Sequence, residues 1–361
     1  MEFHQLAIIG VRPLRADFAP PGKLASFFKC VQRKTQNSAA VDLYFDRHDG
    51  QAATIEDWLA VFEETTVTSL LKDGERVVGA RAQNKAGEAL EFHAALTLDC
   101  TGKESFTAVR QGWRIKDPAL NKVAVWTYYK GSTRDGGIDE GQTTVAMIPE
   151  KGWFWHIPQH DDMVSVGVVA EGKYLARGGV KDPKAIFDRE TEQNLWIKER
   201  LATGQQVGPY FITSEYSFHT RHCASEGLLL VGDAFCFLDP VFSSGVMLAF
   251  KSGMYAADAI HEGLVAGDLS PVRFTDYAAR LREGIENMRK LVYAFYEPNF
   301  SFKQVIDKNP ELAGDITDCL SGDLNKDFTR LWKAIEEFVP VPDALPYGAP
   351  LLQTKPALQS V

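Results

Sequence analysis

Residues 228–250, LLLVGDAFCFLDPVFSSGVMLAF, hold the densest set of side chains that could do chemistry. The apolar run reads as a buried strand. It delivers Gly232 and Asp233 to the carboxyl edge of a sheet, where α/β folds place their ligands. Glycine permits close backbone approach, and Asp233 is a short acceptor suited to a sugar-alcohol hydroxyl. Asp239-Pro240 predicts a turn, after which Ser243, Ser244 and Gly245 open a helix. The unpaired amides and positive dipole end of such a helix favour an anion.

Three further stretches carry candidate chemistry. TLDCTGKES (residues 97–105) is a strand closing in a polar glycine turn, with Asp99 and Gly102 at the turn. In GWFWHIPQ, strand alternation puts Trp153 and Trp155 on one face and Phe154 and His156 on the other; for a W-x-W pair alone the ordinary reading is a core strand. At the start, QLAIIG reads as a buried parallel strand entering a tight turn at Gly10. A dinucleotide loop would complete G-x-G-x-x-G there and open a helix onto the pyrophosphate. Instead Val11, Arg12 and Pro13 follow, the next glycine is Gly22, and no carboxylate lies between Asp17 and Asp42. Val11, Arg12 and Pro13 supply bulk where backbone must approach, and the proline removes an amide donor.

The elements that must position these residues follow from patterning. With 361 residues, 45% hydrophobic and 24% charged, the chain has the composition of an ordinary soluble protein with a sizeable core. A net charge of -9 argues against nucleic-acid binding. No apolar run is long enough to span a bilayer, and the first residues lack a signal peptide's basic region. The five cysteines (30, 100, 223, 236, 319) never form C-x-x-C and suggest buried thiols in a reducing compartment, hence a cytoplasmic protein. His219, His222 and Cys223 read as a strand end rather than a zinc site.

Turn punctuation at Asp73-Gly74 and at residues 85–87 predicts two strands leading into the apolar run 94–98. Residues 122–171 hold β-branched and aromatic runs typical of antiparallel strands. Residues 184–201 read as a helical stretch. Beyond Gly245, helical spacing puts Val246, Ala249, Phe250, Gly253, Ala256, Ala257 and Ile260 on one side. The last hundred residues read as mostly helical, ending in a tail of proline and small residues after Val339.

The 228–250 segment resembles the second flavin-binding motif of the two-domain flavoprotein monooxygenases, and TLDCTG resembles their D-A-S/T-G segment, with Cys100 at the usual alanine. W-x-W-x-I-P, complete as Trp153, Trp155, Ile157 and Pro158, resembles the signature of flavin-dependent halogenases. Together with DPVFSSGV it is similar to the branch acting on phenolic or carrier-linked substrates, over roughly residues 73–320. The resemblance implies an α/β fold: a Rossmann-like FAD domain of the hydroxylase type, incomplete at its N-terminus (1–111), an antiparallel β substrate domain (112–226), a returning FAD-binding strand and helix (227–266) and a helical C-terminal region (267–361).

The resemblance further implies FAD as cofactor, reduced by a separate flavin reductase, and a halide as co-substrate. The FAD set would be Asp99, Gly102, Gly232, Asp233, Asp239, Pro240, Ser243, Ser244, Gly245 and Val246. In the family, reduced FAD and oxygen give a C4a-hydroperoxide that a halide attacks to form hypohalous acid. The amides of Ser244 and Gly245 would hold the halide, and Trp153 and Trp155 would lie beside the flavin. A lysine then passes the halogen to an electron-rich carbon; Lys34 is the candidate, Lys29 the second, and for either the ordinary reading is a solvated surface lysine. Phe242 stands where tryptophan-type halogenases carry glutamate, which implies a phenol or pyrrole substrate, free or tethered to a carrier protein. Two alternatives stay open: a flavin-dependent aromatic hydroxylase or prenyl reductase, and a non-catalytic relic that binds a small molecule or a partner. Halide-dependent product separates the first from halogenation, and retention of flavin separates the second.

Overall fold

The protein is described by a computed structural model that gives residues 62–352, apart from Pro118, Glu215, Tyr216 and the side chain of Lys151, and the backbone of five strands before them. Those five are β1 (Phe3–Ile9), β2 (Val31–Thr35), β3 (Ser38–Asp42), β4 (Tyr44–Asp46) and β5 (Ala52–Thr54). Next come β6 (Thr65–Asp73), β7 (Arg76–Asn84), β8 (Ala89–Asp99), helix α1 (Phe106–Arg110) and β9 (Arg114–Lys116). The middle of the chain holds β10 (Lys122–Lys130), β11 (Thr144–Met147), β12 (Trp153–Pro158), β13 (Met163–Glu171), α2 (Gly172–Leu175), α3 (Pro183–Gln193), α4 (Leu195–Leu201) and β14 (Gln205–Ser214). Short strands β15 (Phe218–Thr220), β16 (Ala224–Ser225), β17 (Leu228–Leu230) and β18 (Cys236–Phe237) lead to α5 (Gly245–Ala266), α6 (Thr275–Tyr296), α7 (Phe302–Lys308), α8 (Ala313–Ser321) and α9 (Thr329–Glu336).

Strand β8 joins the two halves of the first sheet. Its first half pairs antiparallel with β7, which pairs with β6, through turns that use left-handed glycines at 74 and 87. Its second half lies between β1 and β17, both parallel to it. That central position explains why Ala94, Leu96, Thr97, Leu98 and Asp99 are all buried, whichever face they point to. Ile9 and Leu230 both pair with Asp99, so the three parallel strands end level with one another.

The second sheet is antiparallel in the order β11-β12-β13-β10-β14. Alternation along β12 divides its side chains between two cores as the sequence predicts. Trp153 belongs to the core cluster that also holds residues of α5 and α6, with Trp155 packed against it, while Phe154 joins Phe187, Ile197 and Leu201 under α3 and α4. The helical stretch at 184–201 is two helices. Asn194 takes an extended conformation between them, and its side chain caps α4 by accepting from the Ile197 amide at 3.0 Å.

The buried face of α5 also differs from the predicted one. Leu248, Ser252, Gly253, Ala256, Ile260 and Gly263 face the core, whereas Val246 and Phe250 are 46% and 41% exposed. The physical reason is the helix's docking on the strand end: the Gly232 amide donates to Ser252 Oγ at 2.8 Å, which turns that side inward.

After α9 the tail is docked rather than loose. Arg289 donates to the Asp343 carbonyl, Arg282 to the Tyr347 carbonyl, and the amides of Gly348 and Leu351 to carbonyls of residues 220, 221 and 224. Gly348 is required there, since a Cβ would come within 2.5 Å of the Phe235 ring.

Gly227 sets the entry into β17. It has φ +71°, and a Cβ would stand 1.9 Å from the Val77 carbonyl oxygen. Gly227→Ala is expected to cost about 3 kcal/mol from left-handed strain plus overpacking, read as a lower urea midpoint at unchanged slope. A loss well below 1 kcal/mol would contradict the turn's role.

Candidate functional site

The level ends of β1, β8 and β17 form a carboxyl edge on which two loops meet. In the first, Asp99 is fully buried and its carboxylate is spent locally. It accepts from the Thr101 amide (3.0 Å), the Thr101 hydroxyl (2.7 Å) and the Thr107 amide (2.7 Å). Asp99 therefore shapes the turn, and it is the backbone around Gly102, with φ +65°, that faces outward. Burial pushes the Cys100 thiol up to about 12, so it stays protonated. Ser105 donates from its hydroxyl to the Ala234 carbonyl at 3.1 Å, clamping the first loop to the second.

The second loop begins at Gly232, in the left-handed region at φ +64° with Ala249 of α5 3.5 Å from a would-be Cβ. Ser252 and Tyr277 hold this corner: their hydroxyls are 2.9 Å apart, and Tyr277 donates to the Leu230 carbonyl at 2.7 Å. Asp233 follows. It is partly buried and accepts no hydrogen bond among the described residues, and desolvation alone raises its pKa to about 6.

Asp239, 3% exposed, is raised to about 6 by burial even though it accepts from the Val241 amide and from the Tyr296 hydroxyl. The turn Pro240–Phe242 ends on Ser243 at φ +53°, which aims the chain into α5. Ser244 precedes the helix with no side-chain cap, and the first intrahelical bond runs from the Leu248 amide to the Ser244 carbonyl. The amides of the first turn are thus not capped by that serine and can take an anion.

Tyr296 was not singled out by sequence reasoning, yet it is the hub of the site. The indole of Trp153 donates to the Tyr296 hydroxyl at 2.9 Å, and that hydroxyl donates to both Asp239 oxygens at 3.1 and 3.2 Å. The ammonium of Lys122 lies 4.2 Å above the Tyr296 ring and is ion-paired with Glu171. The available signal was the spacing of Tyr293 and Tyr296, three apart and hence on one face of α6. Tyr293 donates to Asp117 at 2.7 Å. Phe242 packs edge-on against Phe295 and Phe302 at the same helix end.

Of the predicted site residues, Gly232, Asp233, Asp239, Pro240, Ser243, Ser244, Gly245, Trp153 and, through Ser105, Gly102 converge on this edge; Trp155 lies 6.0 Å further along β12, ring to ring. Val246 offers its backbone, its side chain being turned to solvent. Lys34 lies in β2 opposite Ala39, and its side chain is outside the described residues, as are Lys29 and the segment containing residues 10–13. Cys100, Cys223, Cys236 and Cys319 are free thiols, and no metal-binding cluster occurs among the described residues. No helix among the described residues is long and apolar enough to cross a membrane.

The ribityl and ring half of a flavin fits this edge. An unpartnered, desolvated Asp233 suits a polyol hydroxyl, Gly232 keeps the approach open, and the α5 terminus suits an electron-rich carbonyl edge.

Comparison with known proteins gives the same direction. A model of the tryptophan halogenase family matches residues 52–303. The chain is 27% identical over 267 residues to a 1H-pyrrole-2-carbonyl-[peptidyl-carrier protein] chlorinase of Pseudomonas fluorescens, covering 72% of this chain and 58% of the relative. It is 31% identical over 244 residues to a tryptophan 2-halogenase of Chondromyces crocatus, covering 66% and 46%. The structure of the flavin-dependent brominase Bmp2 superposes with a TM-score of 0.68 at 28% identity, covering 76% of this chain and 68% of that one. The chain spans about half the length of the two curated relatives.

A carboxylate raised to about 6 when folded binds a proton that the unfolded chain has already released. Its contribution to stability is present below about pH 4 and is lost as pH rises through 6. Asp233→Asn is therefore expected to be neutral at pH 4 and to stabilise the protein by about 1–3 kcal/mol at pH 7. Urea unfolding of both proteins across that range checks it, and a difference independent of pH would contradict it.

Proposed function

The chain belongs to the tryptophan halogenase family, and we propose that it is an FAD-dependent halogenase of electron-rich aromatics, pyrroles or phenols, supplied with reduced flavin by a separate reductase. One observation carries the reading: Trp153 of the W-x-W-x-I-P strand is tied through Tyr296 to Asp239 of the D-P-x-x-S-S-G loop. The two motifs are one site, held by hydrogen bonds.

Bound reduced flavin would activate dioxygen, the oxidant that converts halide to an electrophile. The protein's own residues do the rest. Asp233 accepts from a ribityl hydroxyl, which satisfies a carboxylate the fold leaves unpaired. The amides at Ser244 and Gly245 hold an anion at the positive end of α5. Trp153, buried and anchored at its N–H, presents a fixed ring that keeps water and bulky groups from that side. Phe242 makes the neighbouring wall apolar, which disfavours a charged amino-acid backbone there and favours a flat neutral ring. The chlorinase's name gives its substrate as a pyrrolyl group on a peptidyl carrier protein; a carrier-linked ring is accordingly the tethered form of the substrate proposed here.

The purified chain mixed with excess FAD and desalted is expected to keep a visible flavin band, and Asp233→Ala to lose it. Supplied with reduced flavin, oxygen, bromide or chloride and a pyrrole or phenol, it is expected to replace ring hydrogen by halogen in a halide-dependent way. Tyr296→Phe is expected to lower that yield roughly tenfold, about 1.4 kcal/mol, with flavin retained. A colourless folded protein, or an oxygenated product formed without halide, would overturn the reading.

A further inference from the structure

One face of the antiparallel sheet carries a row of aromatic rings that becomes more exposed along its length. Trp153, 2% exposed, is followed by Trp155 at 6.0 Å, Trp126 at a further 6.4 Å and Phe211 at 5.2 Å, the last pair stacked within 18° of parallel. Phe211 is 37% exposed. The register puts all four on one face: Trp155 pairs with Gly167, Gly167 with Trp126, and Trp126 with Phe211. Gly167 makes the row possible. A Cβ there would come within 2.4 Å of the Trp155 ring and 2.5 Å of Trp126 Cβ, so only glycine lets that indole lie over the sheet. Rings in a core are covered on both sides; the far end of this row is not.

The row ends at a positive charge. Thr213 follows Phe211 by two residues on the same face of β14, roughly 7 Å further along, and its hydroxyl accepts from Lys103 Nζ at 2.8 Å. Lys103 has no carboxylate within ion-pair distance among the described residues, and two of its three donors remain beyond the Thr213 bond. It sits two residues from Ser105, whose hydroxyl holds the carbonyl next to Asp233. The lysine thus stands between the exposed end of the row and the candidate flavin loop. Lys103, Glu104, Arg114, Lys116 and Ser214 line an open cleft of about 350 Å³. Arg114 donates to the Lys103 carbonyl at 3.3 Å, and its guanidinium covers the Phe218 ring. Among the lining residues, Lys103 brings to the cleft an ammonium with no carboxylate partner among the described residues, and such a charge attracts an anion.

We propose that the ring row and this cleft together seat an aromatic substrate that bears an anionic group, the ring over Trp126 and Phe211 and the anion against Lys103. This rests on the reading of the chain as an enzyme of aromatic substrates and adds the charge it selects. The anion has two possible sources with the same chemistry: a carboxylate on the ring itself, or the phosphate of a tether that carries the ring. Stacking holds the planar group with little regard to its substituents, and Lys103 supplies the discrimination.

The test is equilibrium binding by tryptophan fluorescence or calorimetry on the full chain without flavin, so that it stands apart from turnover. One pair of probes is 1H-pyrrole-2-carboxylate and the neutral 1H-pyrrole-2-carboxamide. The other is 1H-pyrrole-2-carbonyl pantetheine with and without its 4′-phosphate. In at least one pair the anionic member is expected to bind about tenfold tighter, which is 1.4 kcal/mol, and that pair names the source of the anion. The preference is expected to shrink at high salt, to fall below about twofold in Lys103→Gln and to survive in Lys103→Arg. Phe211→Ala is expected to weaken both members of the pair by a similar factor. Absence of any preference in both pairs, or a preference that survives Lys103→Gln, would overturn the proposal. A chain that halogenates neutral and anionic rings equally would overturn it alone; one that keeps the preference and never halogenates would overturn the catalytic reading alone.

Discussion

A single phenol holds the site together. Tyr296 receives the N–H of Trp153 from the antiparallel sheet and passes its own proton toward Asp239 of the strand-to-helix loop, while Lys122 lies over its ring. Three stretches of chain distant in sequence meet at this one side chain. Because Asp239 is desolvated enough to sit near 6, the hydrogen bonds it receives are what keep a buried carboxylate tolerable. Without Tyr296 the loop before α5 would retain only the Val241 amide as a described hydrogen-bond donor to that acid.

The rest of the architecture bears on the same loop from other sides. Ser105 clamps it to the turn after β8, Ser252 and Tyr277 fix its first residue, and the docked C-terminal tail packs Gly348 against Phe235 behind it. Against this rigidity stand the features that cost stability. Asp233 is desolvated without a partner, and Ser243 occupies a left-handed conformation that a side chain disfavours. A loop supported so thoroughly can carry both, and both face where a ligand would sit.

Much of this was legible beforehand because it rests on local rules. The Gly-Asp turn after β17, the opening of α5 at Gly245 and the two faces of the W-x-W strand follow from strand alternation and helix-start chemistry, which need only neighbours in sequence. Where the reading missed, a distant contact decided. The inward face of α5 was set by Ser252 meeting the Gly232 amide rather than by the most apolar stripe, so Val246 and Phe250 ended outside.

The sequence by itself determined the kinds of element and the order of the motifs: a strand ending in an acid, a helix start suited to an anion, and an indole pair on one sheet face. Those depend on periodicity and on backbone groups that every residue carries. Only the tertiary structure decided that Trp153, Tyr296 and Asp239 share a chain of hydrogen bonds and that Lys103 closes a row of rings. Hydrogen bonds across 57 and 110 residues of chain have no local signature, because they exist only after two separately formed sheets and a helix pack together.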